Sequence, residues 1–274
     1  MRFVAPPREA VPLTLIDHPA LEGFALARQF LGADWPSLTC LNALLGVARH
    51  AVSGARLSFV AQDAALDAEG LHYESRIFDE GRIATRERNW HDLFNALMWL
   101  ERRSLKCTVN AAYARDLEAT ACRARTRRQA ALTHFDEAGA IVVLDEPCLL
   151  AAWDRHDWSA MFKDPASLWA RHAGIILFGH ALLEHLLVPT LLPVAKCLVI
   201  LGDPRSLGAV SGYVAHEILN GDCLDDPQRL RPLPLAGIPG WHADNGDPAF
   251  YETAPCFRPL RPGRTYPSPL EIRR

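Results

Sequence analysis

Apolar positions along this chain fall into two rhythms, a helical one of about 3.6 residues and short extended runs between. The densest helical stretch is NWHDLFNALMWL, Asn89 to Leu100. Trp90, Leu93, Phe94, Leu97, Met98 and Trp99 leave it almost no solvent face, which predicts a buried helix. Asn89 suits its N-cap, and Asp92 sits where a carboxylate can reach back to that cap. His91, Asp92 and Asn95 are the exceptions to its apolar character. Buried polar groups must find partners, so these three need an explanation.

The same reasoning predicts the other elements. LEGFALARQFL and SLTCLNALLGVARHAV read as helices, the second capped by Ser37. LSFVAQ reads as a strand. YESRIFDEGRIATR reads as two extended runs joined at Asp79-Glu80-Gly81, a hairpin signal. Helical pattern then runs, with breaks, through SLKCTVNAAYARDLEATACRARTRRQ. In ALTHFDEAGAIVVLDEP, apolar and β-branched residues flank Asp136-Glu137-Ala138-Gly139, which predicts a second hairpin or strand pair. CLLAAWDRHDWSAMFKDPASLWARHAG, IILFGHALLEHLL and SLGAVSGYVAHEILNG read as helices, the last stopped by Asn220-Gly221. AKCLVIL is too short for periodicity to separate a strand from a buried helix.

From Pro227 the texture changes: ten of the twenty prolines lie in residues 227–274. Proline disfavours long helices and central strands. Ile238, Trp241, Phe250, Tyr251 and Phe257 nevertheless need cover. The expected fold is α+β, a mainly helical single domain with two small antiparallel strand pairs. Residues 1–226 form the globular body. Residues 227–274 form a Pro-rich irregular C-terminal arm packed on it, with only the last ten or so residues loose.

The chain has 274 residues, 49% hydrophobic, with a formal net charge of -3. That length supports a sizeable core, and the charge gives no global basic field for nucleic acid or an anionic membrane. Only three cations are lysines (Lys106, Lys163, Lys196); the rest are arginines. Seven scattered cysteines show no CxxC spacing, so neither a disulfide framework nor a structural zinc site is expected. The N-terminus MRFVAPPREAVPL has no signal-peptide run. Gly174 to Leu201 is apolar, but His180, Glu184, His185, Lys196, Pro189 and Pro193 interrupt it. No membrane span is expected there, and a cytoplasmic location is.

Candidate chemistry gathers in three places. His91 and Asn95 are four apart on one helix face. His180 and Glu184 have the same spacing, suited to a His–carboxylate relay or a metal, although the pattern is not HExxH. Asp136 and Glu137 fit turn chemistry, unless Asp136 faces the His180 helix. If these elements converge, His91, Asp92, Asn95, Asp136, His180 and Glu184 form a candidate catalytic set. His91, Asp136, His180 and Glu184 would be hypothetical ligands of one divalent metal ion. Each also has an architectural reading as cap, strut or buried pair. Arg123, Arg125, Arg127 and Arg128, with Arg102, Arg103, Lys106 and Arg115, read as a solvated helix face. No GxSxG, P-loop or GxGxxG is present, so no organic cofactor is implied. GIPGWHADNGDPAFY, with Trp241, His242 and Asp244, could lid a pocket.

NWHDLFNALMWL, LTHFDEAGAIVVL, FGHALLEHLL, LPLAGIPGW and DPAFYETAPCFRP, in this order, resemble a bacterial family defined only as a domain of unknown function, DUF3025. The resemblance covers about Leu57 to Pro259. It implies a bacterial protein and supplies no activity. The chain departs from the family pattern at Tyr113 (usually His), His134 (often Leu) and His185 (often Lys), which removes His134 and His185 from a shared site. Two functions stay open. One is an enzyme with a small polar or metal-assisted hydrolase-type site. The alternative is a non-catalytic binding or scaffold protein whose buried polar residues are architectural. Its partner would be a small molecule or a protein.

Overall fold

Side-chain caps set most helix starts. The computed structural model describes residues 3–120, 124–163 and 168–272. Short 3-10 turns between residues 8 and 21 lead into α1 (Ala25–Leu31). The Ser37 hydroxyl accepts from Cys40 N at 3.2 Å and opens α2 (Leu38–Leu45). β1 (Ser58–Ala61) and α3 (Ala64–Ala68) follow. The sequence stretch expected as a first hairpin is instead a helix and a strand, α4 (Tyr73–Glu80) and β2 (Arg82–Thr85). His72 caps α4, and Gly81 ends it in the left-handed region at φ 71°. A Cβ on Gly81 would stand 2.1 Å from the Arg56 carbonyl oxygen, so only glycine fits there.

α5 (Trp90–Glu101) is the predicted buried helix. The Asn89 side chain accepts from Asp92 N at 3.0 Å. α6 (Arg103–Ala119) follows, and then α7 (Arg127–Ala138), which opens with a Thr126–Gln129 capping box. The second expected hairpin is a helix-to-strand junction, because α7 runs directly into β3 (Gly139–Leu144). Asp136 and Glu137 therefore lie in the last turn of a helix. The Trp-containing stretch breaks into α8 (Pro147–Asp154), α9 (Trp158–Phe162) and α10 (Leu168–His172). IILFGHALLEHLL divides into β4 (Ala173–Leu177) and α11 (His180–His185). AKCLVIL resolves as a strand, β5 (Val194–Leu201), followed by α12 (Leu207–Asn220).

The strands form two sheets. β1 and β2 pair in parallel, Phe59 opposite Ile83. The larger sheet has the order β4-β3-β5-β6, with β6 at Arg231–Pro234, and β7 (Leu270–Glu271) also pairs with β5. β3 is antiparallel to β4 and parallel to β5. The α+β class holds, but the expectation of antiparallel pairs alone does not. The C-terminal region contributes β6 and β7, and Leu270 pairs with Ile200, so residues expected to be loose are paired within the described part of the chain. α13 (Phe250–Thr253) also lies in this region, and Phe250, Tyr251 and Phe257 join the main core.

Every residue of β3 is buried. Side chains alternate across a strand, so Ala140, Val142 and Leu144 enter one apolar cluster while Ile141 and Val143 enter another. That two-sided burial makes GAIVVL continuously apolar. Among the described residues no helix is long and apolar enough to cross a membrane.

Candidate functional site

The helices α4, α5, α6, α7 and α11 enclose a cavity of about 320 Å³. Its lining includes His72, Tyr73, Glu74, Arg86, His91, Asp92, Asn95, Tyr113, Arg125, Asp136, Glu137 and His180. Five of the six candidate catalytic residues thus face one space. The sixth, Glu184, stands behind His91: its Oε2 lies 2.9 Å from His91 Nδ1.

The junctions of β3 with α7 and of β4 with α11 produce this convergence. Phe178 N and Gly179 N both donate to Gly139 O, at 3.0 and 2.8 Å. A Cβ on Gly179 would lie 2.5 Å from Ala138 Cα. The close approach sets the start of α11 on the end of α7. His180 Nδ1 then donates to the Asp136 carbonyl at 2.8 Å. The Asp136 carboxylate is 3.6 Å from the same nitrogen.

Hydrogen-bond direction fixes the protons of the two imidazoles. A carbonyl only accepts, so His180 Nδ1 carries hydrogen. Burial pushes the His180 pKa down to about 3, so the ring is neutral and its Nε2 accepts. His91 Nε2 lies 3.1 Å from that atom and must donate to it. His91 Nδ1 meets the Glu184 carboxylate, so it donates as well. His91 is therefore an imidazolium paired with Glu184. Its pKa is raised, first by the Glu184 hydrogen bond.

The remaining polar groups are held in a second set. Lys106 Nζ lies 2.6 and 2.9 Å from the Asp136 carboxylate oxygens and 2.8 Å from Asn95 Oδ1. Asn95 Nδ2 donates to the Tyr73 hydroxyl at 2.9 Å. The Asp136 carboxyl pKa is lowered: burial opposes ionisation, and the Lys106 ammonium, through its charge and its hydrogen bond, outweighs it. Asp92 does not reach back to its cap. Its carboxylate takes Arg86 N at 2.7 Å, Nε at 2.9 Å and Nη2 at 2.8 Å. Glu74 accepts from Asn110 Nδ2 at 2.7 Å, and burial followed by the Asp136 charge pushes its pKa up to about 7.

Tyr73, Glu74 and Asn110 were not among the sequence candidates, and Lys106, read with the arginines as part of a solvated helix face, is buried instead. The hairpin reading of YESRIFDEG hid Tyr73 and Glu74, which occupy the first turn of α4. Lys106 carried a signal of its own, as one of three lysines in an arginine-rich chain, and it is 4% exposed at the side chain. His134 and His185 stay outside the cavity lining, whereas Tyr113 is in it and stacks on His72 at 5.6 Å. Much of the basic cluster is neutralised within the protein. Arg127 pairs with Asp226 at 2.6 Å, and Arg128 pairs with Asp225. Arg123 lies outside the described residues. Trp241 and His242 line a separate, more apolar cavity of about 300 Å³ with Leu15, His18 and Leu192, away from the polar one.

Among the described residues no group of three or more His, Cys, Asp or Glu side chains is placed to hold a metal ion. The reason is visible for His91, Asp136, His180 and Glu184. Glu184 holds the Nδ1 side of His91, and the Asp136 carboxylate holds Lys106. Only the two Nε2 atoms converge, and a buried ammonium stands beside Asp136.

The fold and site define an α+β protein with a charge-paired polar cavity walled by five helices. The chain belongs to the family described as "Protein of unknown function (DUF3025)", whose sequence model matches residues 57–261. All cavity residues fall within that span. No curated protein and no solved structure matches the chain.

Proposed function

We propose that the cavity is the active site of an enzyme carrying out acid–base, hydrolase-type chemistry on a small polar substrate. The observation that carries this reading is the acid and base on its wall: the imidazolium of His91 as proton donor and the carboxyl of Glu74, a base once ionised. Acid–base enzymes need groups whose environments set distinct proton affinities near working pH. Glu74 becomes a base above about pH 7, while His91 keeps its proton to higher pH than an ordinary histidine. His180 accepts that proton at rest, and a substrate group at the cavity edge competes for it. The volume suits a small ligand.

The non-catalytic reading rests on a different observation: Asp92, Asp136 and Glu184 are all paired within the protein and also act as struts. Incubation with a panel of small esters, amides and phosphate esters, read by mass spectrometry, separates the two. The enzyme reading expects at least one compound to be consumed, with the rate falling about 100-fold or more in His91→Gln and Glu74→Gln. Consumption of none, or undiminished rates in both folded variants, favours the binding or scaffold protein.

A further inference from the structure

The hydrogen bonds around Lys106 leave one proton facing the cavity. Lys106 is an ammonium, with three donors and no acceptor. The Asn95 atom 2.8 Å from it must therefore be the oxygen, and the amide nitrogen faces Tyr73. That nitrogen can only donate, so at 2.9 Å the Tyr73 hydroxyl oxygen accepts. The phenol proton must point elsewhere. Among the described residues no acceptor takes it, and Tyr73 lines the cavity. Lys106 sits at the other end of this chain with its side chain 4% exposed, and its charge polarises each successive link toward Tyr73. Burial, with the neighbouring Glu74 charge, raises the Tyr73 pKa, so the phenol keeps its proton.

The charges of the cavity are balanced. Arg86 holds Asp92, Lys106 holds Asp136 and His91 holds Glu184. The other ionisable groups on the lining include Arg125 and Glu137, of opposite sign, and Glu74, neutral below about pH 7. Such a wall offers no net attraction to an anion, but it offers a directed donor to a neutral acceptor oxygen. We infer that the cavity takes an uncharged acyl compound whose carbonyl oxygen accepts the Tyr73 hydroxyl proton. This deepens the acid–base reading and rests on its premise that the cavity is a ligand site. The Tyr73 donor would then face the oxygen where charge grows during attack on the carbonyl.

Ligand-observed NMR titration of the full chain with acetamide tests this, with acetate as the charged comparison at pH 6, where Glu74 is neutral. The expected result is saturable acetamide binding, about tenfold weaker in Tyr73→Phe, as loss of one hydrogen bond implies. Binding should be unchanged in Tyr213→Phe, which alters a hydroxyl that donates to Glu271 O outside the cavity. Acetate should bind more weakly than acetamide. If Tyr73→Phe fails to fold, carbonyl-labelled acetamide on the wild-type protein gives a second readout, a downfield carbon shift on binding. Equal affinity in folded Tyr73→Phe, preference for acetate, no saturable acetamide binding, or no carbonyl shift overturns the inference. Turnover is a separate readout. Tyr73-dependent acetamide binding without any catalysis would leave this inference standing and remove the acid–base one. Tyr73-independent binding with His91-dependent catalysis would do the reverse.

Discussion

Two imidazole nitrogens 3.1 Å apart can share only one proton, and that constraint sets the character of the cavity. It makes His91 the donor and His180 the acceptor, with opposite consequences for pH. His91 has a raised folded pKa, so its stabilising pair with Glu184 is full below about 6.5 and is lost as pH rises through the folded value. His180 is depressed to about 3, so its contribution is present above about 6.5 and lost as pH falls toward 3. Glu74 is raised from 4.5 to about 7, so native stability from this group declines as pH rises from 4.5 through 7. Glu74→Gln should therefore be more stable than wild type at pH 8, by up to about 3 kcal/mol. The difference should vanish below pH 4.5, where both side chains are uncharged, and urea denaturation at the two pH values checks it. For an active substrate, the rate should rise through about pH 7 as Glu74 ionises, then fall as His91 loses its proton. Glu74→Gln should remove the rising limb.

At the scale of elements, residue spacing conveyed more than chain direction did. The i, i+4 pairs His91/Asn95 and His180/Glu184 sit on helices, as the spacing implied. The two acidic-Gly segments did not form hairpins. A glycine after acidic residues serves a tight turn or a helix end equally well, and Gly81 and Gly139 both follow helices. The sequence around them has no local signal that separates the outcomes, because the strands that follow pair with residues far along the chain. The same ambiguity concealed Glu74. Gly179 belongs to this scale too: its missing Cβ lets α11 start against α7. Gly179→Ala should destabilise the protein by about 1–3 kcal/mol through overpacking. It should also lower any turnover, because Asp136 and His180 are placed by that contact. Thermal melting and the rate of the panel reaction measure the two effects.

For the whole molecule, the α+β class was legible from alternating helical and extended patterns, and sheet order was not. Strand order depends on contacts between distant segments such as β5 and β7. The proline-rich end gave a misleading cue, because prolines are compatible with an edge strand such as β6. Buried Arg231 shows how that end is held. Its Nε meets Asp154 at 2.7 Å, its Nη2 donates to Pro267 O at 2.8 Å, and its guanidinium lies 5.1 Å from the Tyr266 ring. Asp154→Ala would leave Arg231 buried without its counterion and should cost about 3 kcal/mol in denaturant unfolding. An unchanged midpoint would mean that the pair does not anchor the segment.

The central claim is that His91 is charged and His180 neutral in the resting cavity. Side-chain nitrogen-15 NMR of the histidines at pH 6 tests it most directly, with His91→Gln and His180→Gln spectra giving the assignments. The account predicts that both His91 nitrogens carry hydrogen, and that His180 carries it on Nδ1 alone. A neutral His91, or a His180 protonated on Nε2, would contradict it and remove the imidazolium proton donor that the acid–base reading needs.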